Sequence, residues 1–164
     1  MTTSATKQLI QLFLLLIITA TTTACNEPPP AEPVLKIETI VLNNSNINSF
    51  KRELLQDYVS NRNDLLNQFK AFKKEGNPHG FVQYRNYEWT PHYIEKKDYY
   101  QVVLKKNKAY IEKASIKPLF LKFDNLLIIG VNLKNALLDS DDELLKSTYA
   151  QIKADHTVIS KFKK

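Results

Sequence analysis

The chain has 164 residues, 23 basic and 17 acidic, for a formal net charge of +6. Its single cysteine excludes an internal disulfide, and only 3 glycines argue against a turn-rich all-β protein. The length suits one domain with a core of its own.

Lys7 precedes an apolar run from Leu9 to Ile18, interrupted by Gln11, which fades into Thr19–Thr23 and ends at Ala24 and Cys25. A bilayer-spanning helix needs about 20 apolar residues. This shorter run matches the apolar region of a secretory signal, roughly 7–15 residues with a basic residue ahead and small residues at the cut. Thr22-Thr23-Ala24-Cys25 resembles the lipobox of bacterial lipoproteins. Ala24 and Thr23 fit the pattern of that class; Thr22 stands where it usually has Leu or another larger aliphatic. The resemblance implies removal of residues 1–24, a diacylglycerol on the Cys25 thiol and an acyl chain such as palmitate on the new amine. It implies nothing about the domain that follows.

An ordinary secretory signal cut at the same bond is the rival reading, and it implies a soluble periplasmic or secreted protein. It leaves Cys25 an unpaired thiol in an oxidising compartment, which lipidation accounts for directly. The class also sorts on the residue after the cysteine. Asn26 rather than Asp there implies the outer membrane, on its periplasmic or its surface face. The mature chain would have 140 residues and a charge of +5, compatible with acidic headgroups or acidic proteins. Nucleic acid is not an expected partner of an exported protein.

Asn26–Pro33, with four prolines in eight residues, predicts an extended tether. Val34–Leu42 alternates like a short strand at Leu35, Ile37, Thr39 and Val41, and serves equally as an extended arm lying across a helical body. The expected division is thus 1–24 signal, 25–46 lipidated cysteine, tether and arm, and 47–164 helical domain.

Four helices are predicted. The first, Ser49–Glu75, carries Leu55, Tyr58, Leu65, Phe69 and Phe72 at steps of three and four, with Arg62 interrupting the stripe. Asn48 or Ser49 is its expected N-cap, and Lys73-Lys74, Gly76 and Pro78 mark its end. In Arg62 we expect a packed stem with a snorkelling head. Asn77–Trp89 is expected as an aromatic connector, with Thr90-Pro91 opening the second helix, Pro91–Ser115. The third, Leu119–Leu138, is apolar nearly all round, with Lys122, Asn125, Asn132 and Asn135 as a narrow polar stripe. Its rival is a β-hairpin over 119–133, which would make the fold α+β. The fourth, Asp141–Phe162, follows a capping box at Ser140–Glu143 and predicts an inner face of Leu145, Tyr149, Ile152, His156 and Ile159. The expected fold is an all-α up-down bundle.

No nucleophile motif, phosphate-binding glycine loop or metal-spaced Cys/His cluster occurs, so no catalytic residue, metal or cofactor is expected. His79, His92 and His156 lie far apart in sequence, and the acids of Asp139–Glu143 read as a helix cap rather than a calcium loop. Tyr84, Arg85, Tyr87, Trp89 and Tyr93 are the candidate binding residues. Aromatic rings with an arginine suit a glycan ring or a partner's side chain, and they equally suit the closed end of a bundle. Phe162-Lys163-Lys164 is similar to the terminus of the major outer-membrane lipoprotein family of enteric bacteria, which implies a peptidoglycan linkage through Lys164. The expected function is non-enzymatic: a lipid-anchored envelope protein whose helical domain binds another protein in an assembly, immunity or exclusion role. The alternative is a carrier that holds a lipid or glycan between its helices.

Overall fold

The computed structural model describes residues 39–162. Residues 1–38, with the signal, Cys25, the tether and most of the arm, lie outside the described residues, as do Lys163 and Lys164. The fold is all-α: α1 Ile47–Lys74, α2 Pro78–Gln83, a π-helical turn Tyr84–Trp89, α3 Thr90–Lys106, α4 Lys108–Lys113, α5 Lys117–Leu138 and α6 Asp142–Ser160. No strand occurs among the described residues. Because α2, the π turn and α3 follow without a gap, the chain forms four rods in up-down order, with α5 packed against α1, α2, α3 and α6.

α1 starts two residues before Ser49. The Asn46 carboxamide accepts from the Asn43 N–H and donates to the Val41 carbonyl, tying off the entering chain. Its far end follows the expected signals. Gly76 takes φ +65, its N–H bonds to Lys73 O at 3.2 Å, and the Asn77 N–H bonds to Phe72 O at 2.9 Å. That reciprocal pair satisfies carbonyls the helix would otherwise leave open. Leu55, Tyr58, Leu65 and Phe69 are buried as the stripe predicts. Arg62 is half-buried, its guanidinium 5.6 Å over the Tyr58 ring and bonded to Asn63 Oδ1.

The expected connector Asn77–Trp89 is instead helical. The Asn77 side chain caps α2, accepting the Gly80 N–H at 2.8 Å, and Pro78 occupies the first turn, where no donor is needed. Gly80 permits the close turn against α1: a Cβ there would lie 2.6 Å from the Phe72 ring. Pro91 stands in the first turn of α3, as expected, but Thr90 does not cap it: α3 continues the π turn without a break.

The second predicted helix also ends early, at Lys106 rather than Ser115. Asn107 leaves helical geometry, with φ −111 and ψ 22, because its side chain serves another segment. Its Oδ1 accepts the Leu42 N–H at 2.8 Å, and its Nδ2 donates to Ile40 O at 2.9 Å and to Val103 O at 3.0 Å. Lys106 reaches the Thr39 carbonyl at 2.9 Å and Tyr110 reaches Asn44 Oδ1 at 2.7 Å. Residues 39–42 are thus an arm without regular secondary structure, clamped to the α3–α4 joint, with Leu42 in the core.

α5 runs unbroken through 119–133, so the hairpin does not form there. Leu119, Phe120, Phe123, Leu126, Ile129 and Leu133 fill the bundle centre. α6 differs from expectation in its phase. Thr148, Ile152, Asp155 and Ile159 point inward, whereas His156 and Tyr149 are exposed. The inward turn of Asp155 is explained by Lys122 of α5, whose Nζ lies 2.6 Å from Asp155 Oδ1. The N-cap of α6 is Asp141, accepting the Leu144 N–H at 2.8 Å, and Ser140 takes a left-handed φ of 54 at the corner.

Candidate functional site

The five candidate residues fall on the π turn and the first turn of α3. Phe81, Arg85, Trp89 and Tyr93 recur at steps of four. In an α-helix each such step overshoots a full turn by about 40°, so the fourth residue would leave the core-facing side. A wider turn corrects the drift. The Thr90 N–H bonds to Arg85 O, five residues back, and one residue later Pro91 has no N–H to offer. The expanded turn keeps Phe81, Arg85, Trp89 and Tyr93 all buried. Single π turns of this kind occur often at functional sites.

Trp89 donates its indole N–H to Asn61 O of α1 at 2.9 Å and stacks on Tyr93, with centroids 4.8 Å apart and rings 8° from parallel. Tyr93 stacks on Phe123 at 5.3 Å and donates to the Phe123 carbonyl at 2.9 Å. Phe123 meets Tyr100 edge-on at 5.0 Å, and Tyr100 meets Phe50 at 5.9 Å and Phe120 at 6.3 Å. Trp89 and Tyr93 thus open an aromatic ladder through the bundle and are not available as an outer stacking platform. α5 comes close to the turn through Gly130, where a Cβ would lie 3.3 Å from both Arg85 Nε and the Trp89 ring.

The other three residues lie nearer the surface. Tyr87 is 80% exposed, projecting from the outer side of the turn. Tyr84 is half-buried beside Phe72, and burial, with Asp64 and Glu88 nearby, pushes its phenol up. Arg85 is 9% exposed and bonds to Asn86 Oδ1 at 2.8 Å, while its Nε has no partner. Burial lowers its guanidinium from the usual value. No carboxylate among the described residues pairs with it.

A second buried polar group, unmarked in the sequence, joins α1, α5 and α6. Asp155 is 1% exposed; Lys122 holds its Oδ1, and its Oδ2 has no partner. The Tyr58 hydroxyl is also buried and unpartnered. Its phenol is pushed up to about 12, first by burial and then by the Asp155 charge. The only signals for this group were an isolated Lys in an apolar helix and an Asp one position away from the expected inner face.

His79, His92 and His156 are all exposed, and no cluster of three His, Cys, Asp or Glu suited to a metal occurs among the described residues. No described helix is long and apolar enough to cross a membrane. Comparison with protein-family models, curated proteins and solved structures finds no match to this chain.

Proposed function

We propose that this protein is a non-enzymatic, lipid-anchored envelope protein whose helical bundle binds another envelope protein through the outer side of the π turn. The observation that carries the reading is Tyr87. It is the most exposed large hydrophobic side chain of the described residues, at 80%, and it projects from a turn whose inner side is fixed by Arg85 and Trp89. A tyrosine on a rigid base is an economical interface anchor, since it brings a large contact area at little loss of conformational freedom. Tyr84 and the rim of Arg85 would complete the contact.

The lipid anchor at Cys25 rests on the lipobox resemblance and on the lack of any second cysteine to pair with it. Fourteen residue-to-residue steps lead from Cys25 to Thr39, a span of at most about 50 Å when fully extended. Outer-membrane placement follows the sorting rule at Asn26, and a peptidoglycan link through Lys164 remains a minor part of the proposal. The carrier alternative receives less support, because Phe123, Leu126, Ile129 and Leu133 of α5 pack into the space between helices.

The test is a photo-crosslinking residue in place of Tyr87, used in the native envelope with intact-mass analysis of the mature chain. A single crosslinked protein, lost with Tyr87→Ala in a pull-down, supports the interface. No adduct at position 87, with unchanged capture by Tyr87→Ala, removes it. An unlipidated N-terminus removes the anchor independently.

A further inference from the structure

Near the other end of the α3–α5 pair, the end of α3, α4 and the start of α5 enclose an open groove of about 450 Å³. It lies about 22 Å along the helix axis from Trp89, from the fifteen-residue step between Trp89 and Leu104. Val102 and Leu104 give it an apolar floor, and Lys105, Lys108 and Lys117 stand round it. Glu112 is its one acid and lies 3.5 Å from Lys117. No carboxylate among the described residues pairs with Lys105 or Lys108. The positive end of the α5 dipole also meets the groove at Lys117, and no side chain caps that helix.

We propose that this groove binds an anionic phospholipid, its phosphate held by Lys105 and Lys108 and its glycerol and first acyl carbons on Val102 and Leu104. The charge balance favours an anion, and the apolar floor favours one with a hydrocarbon part. A bare inorganic ion would gain nothing from Val102, which is 36% exposed. The groove also borders the place where the N-terminal arm joins the domain. Lys106 and Asn107, which hold Thr39, Ile40 and Leu42, lie between Lys105 and Lys108 in sequence. On the anchored reading above, this site adds a second and reversible membrane contact at the corner where Thr39–Leu42 join the domain. Lysine clusters of this kind draw acidic lipid in a salt-sensitive way.

The experiment uses the full chain in zwitterionic detergent and titrates short-chain phosphatidylglycerol below its micelle concentration, read by calorimetry. Parallel titrations use short-chain phosphatidylcholine and inorganic phosphate. Phosphatidylglycerol should bind, more weakly as salt rises. Lys105→Glu with Lys108→Glu should weaken it at least about tenfold, from charge reversal at two contacts. Lys70→Glu with Lys153→Glu, the same charge change on exposed positions of α1 and α6, should alter it less than about twofold. Equal binding of phosphatidylcholine, equal loss in the control pair, or inorganic phosphate binding as tightly as the lipid would each overturn the proposal. None of these readings depends on whether Cys25 carries lipid or on a partner at Tyr87, so failure here and failure of the anchored reading are separately visible.

Discussion

Replacing Lys122 by Met should destabilise the bundle strongly. The Lys122 ammonium lies 2.6 Å from an Asp155 carboxylate that is 1% exposed. At an effective dielectric near 20, two unit charges at that distance attract by roughly 6 kcal/mol. Desolvation offsets part of this, and Lys122 keeps some access to water. The variant loses the attraction and leaves the Asp155 carboxylate buried without its partner, and breaking a buried pair in this way costs about 3–5 kcal/mol. Urea denaturation of the wild type, Lys122→Met, Asp155→Leu and the double variant at neutral pH measures this. Lys122→Met should lower stability by about 3–4 kcal/mol, and the double change should recover most of it, since an apolar pair of similar volume replaces two desolvated charges. A cost below about 1 kcal/mol for Lys122→Met, or a double variant no more stable than Lys122→Met, would falsify the claim that the pair is a buried charge contact.

Two further outcomes follow from backbone and burial. Ser115 and Ser140 hold left-handed conformations, φ 55 and 54, at the ends of α4 and α5. Glycine meets no Cβ penalty there, so Ser115→Gly and Ser140→Gly should each raise stability by about 0.5–1 kcal/mol, seen as a higher denaturation midpoint at constant slope; lower midpoints would show that the serine side chains matter more. In alkaline solution the buried phenols decide. Tyr58 is raised to about 12 and Tyr93 and Tyr100 are raised as well, first of all by burial, so the folded state keeps protons that the unfolded chain releases near pH 10. Their stabilising contribution is therefore complete below pH 10 and lost as pH rises towards 12, and thermal melts should show the midpoint falling through that window. A midpoint flat from pH 9 to 11.5 would refute it.

Where helix signals were local, the sequence was easy to read. Lys73-Lys74, Gly76 and Pro78 end α1 as their chemistry requires, and Leu119–Leu138 lies in α5 because an almost uniformly apolar helix has to occupy the centre. The misreadings arose where a side chain answers to a distant partner. Asn107 breaks a good helical pattern for the sake of Ile40 and Leu42, sixty-odd residues away. Asp155 displaces His156 from the inner side of α6 because Lys122 is waiting in α5. Pro91 does stand in the first turn of α3, but the segment before it is helical too, its expanded turn absorbing the missing donor, and the repeated step of four from Phe81 to Tyr93 was the available clue. The candidate residues fall on the π turn and the first turn of α3. The sequence did not separate Trp89 and Tyr93, which are structural, from Tyr87, which faces solvent.

The clamp on the arm has a mechanical side. If the chain is held at its N-terminal end, tension arriving through Thr39 meets Lys106, Asn107 and Tyr110 before it reaches the first residue of α1. Several hydrogen bonds at one joint then share the load, and α1 is spared from being peeled away turn by turn. A tethered domain wired in this way can be pulled by its leash without beginning to unfold at its own terminus.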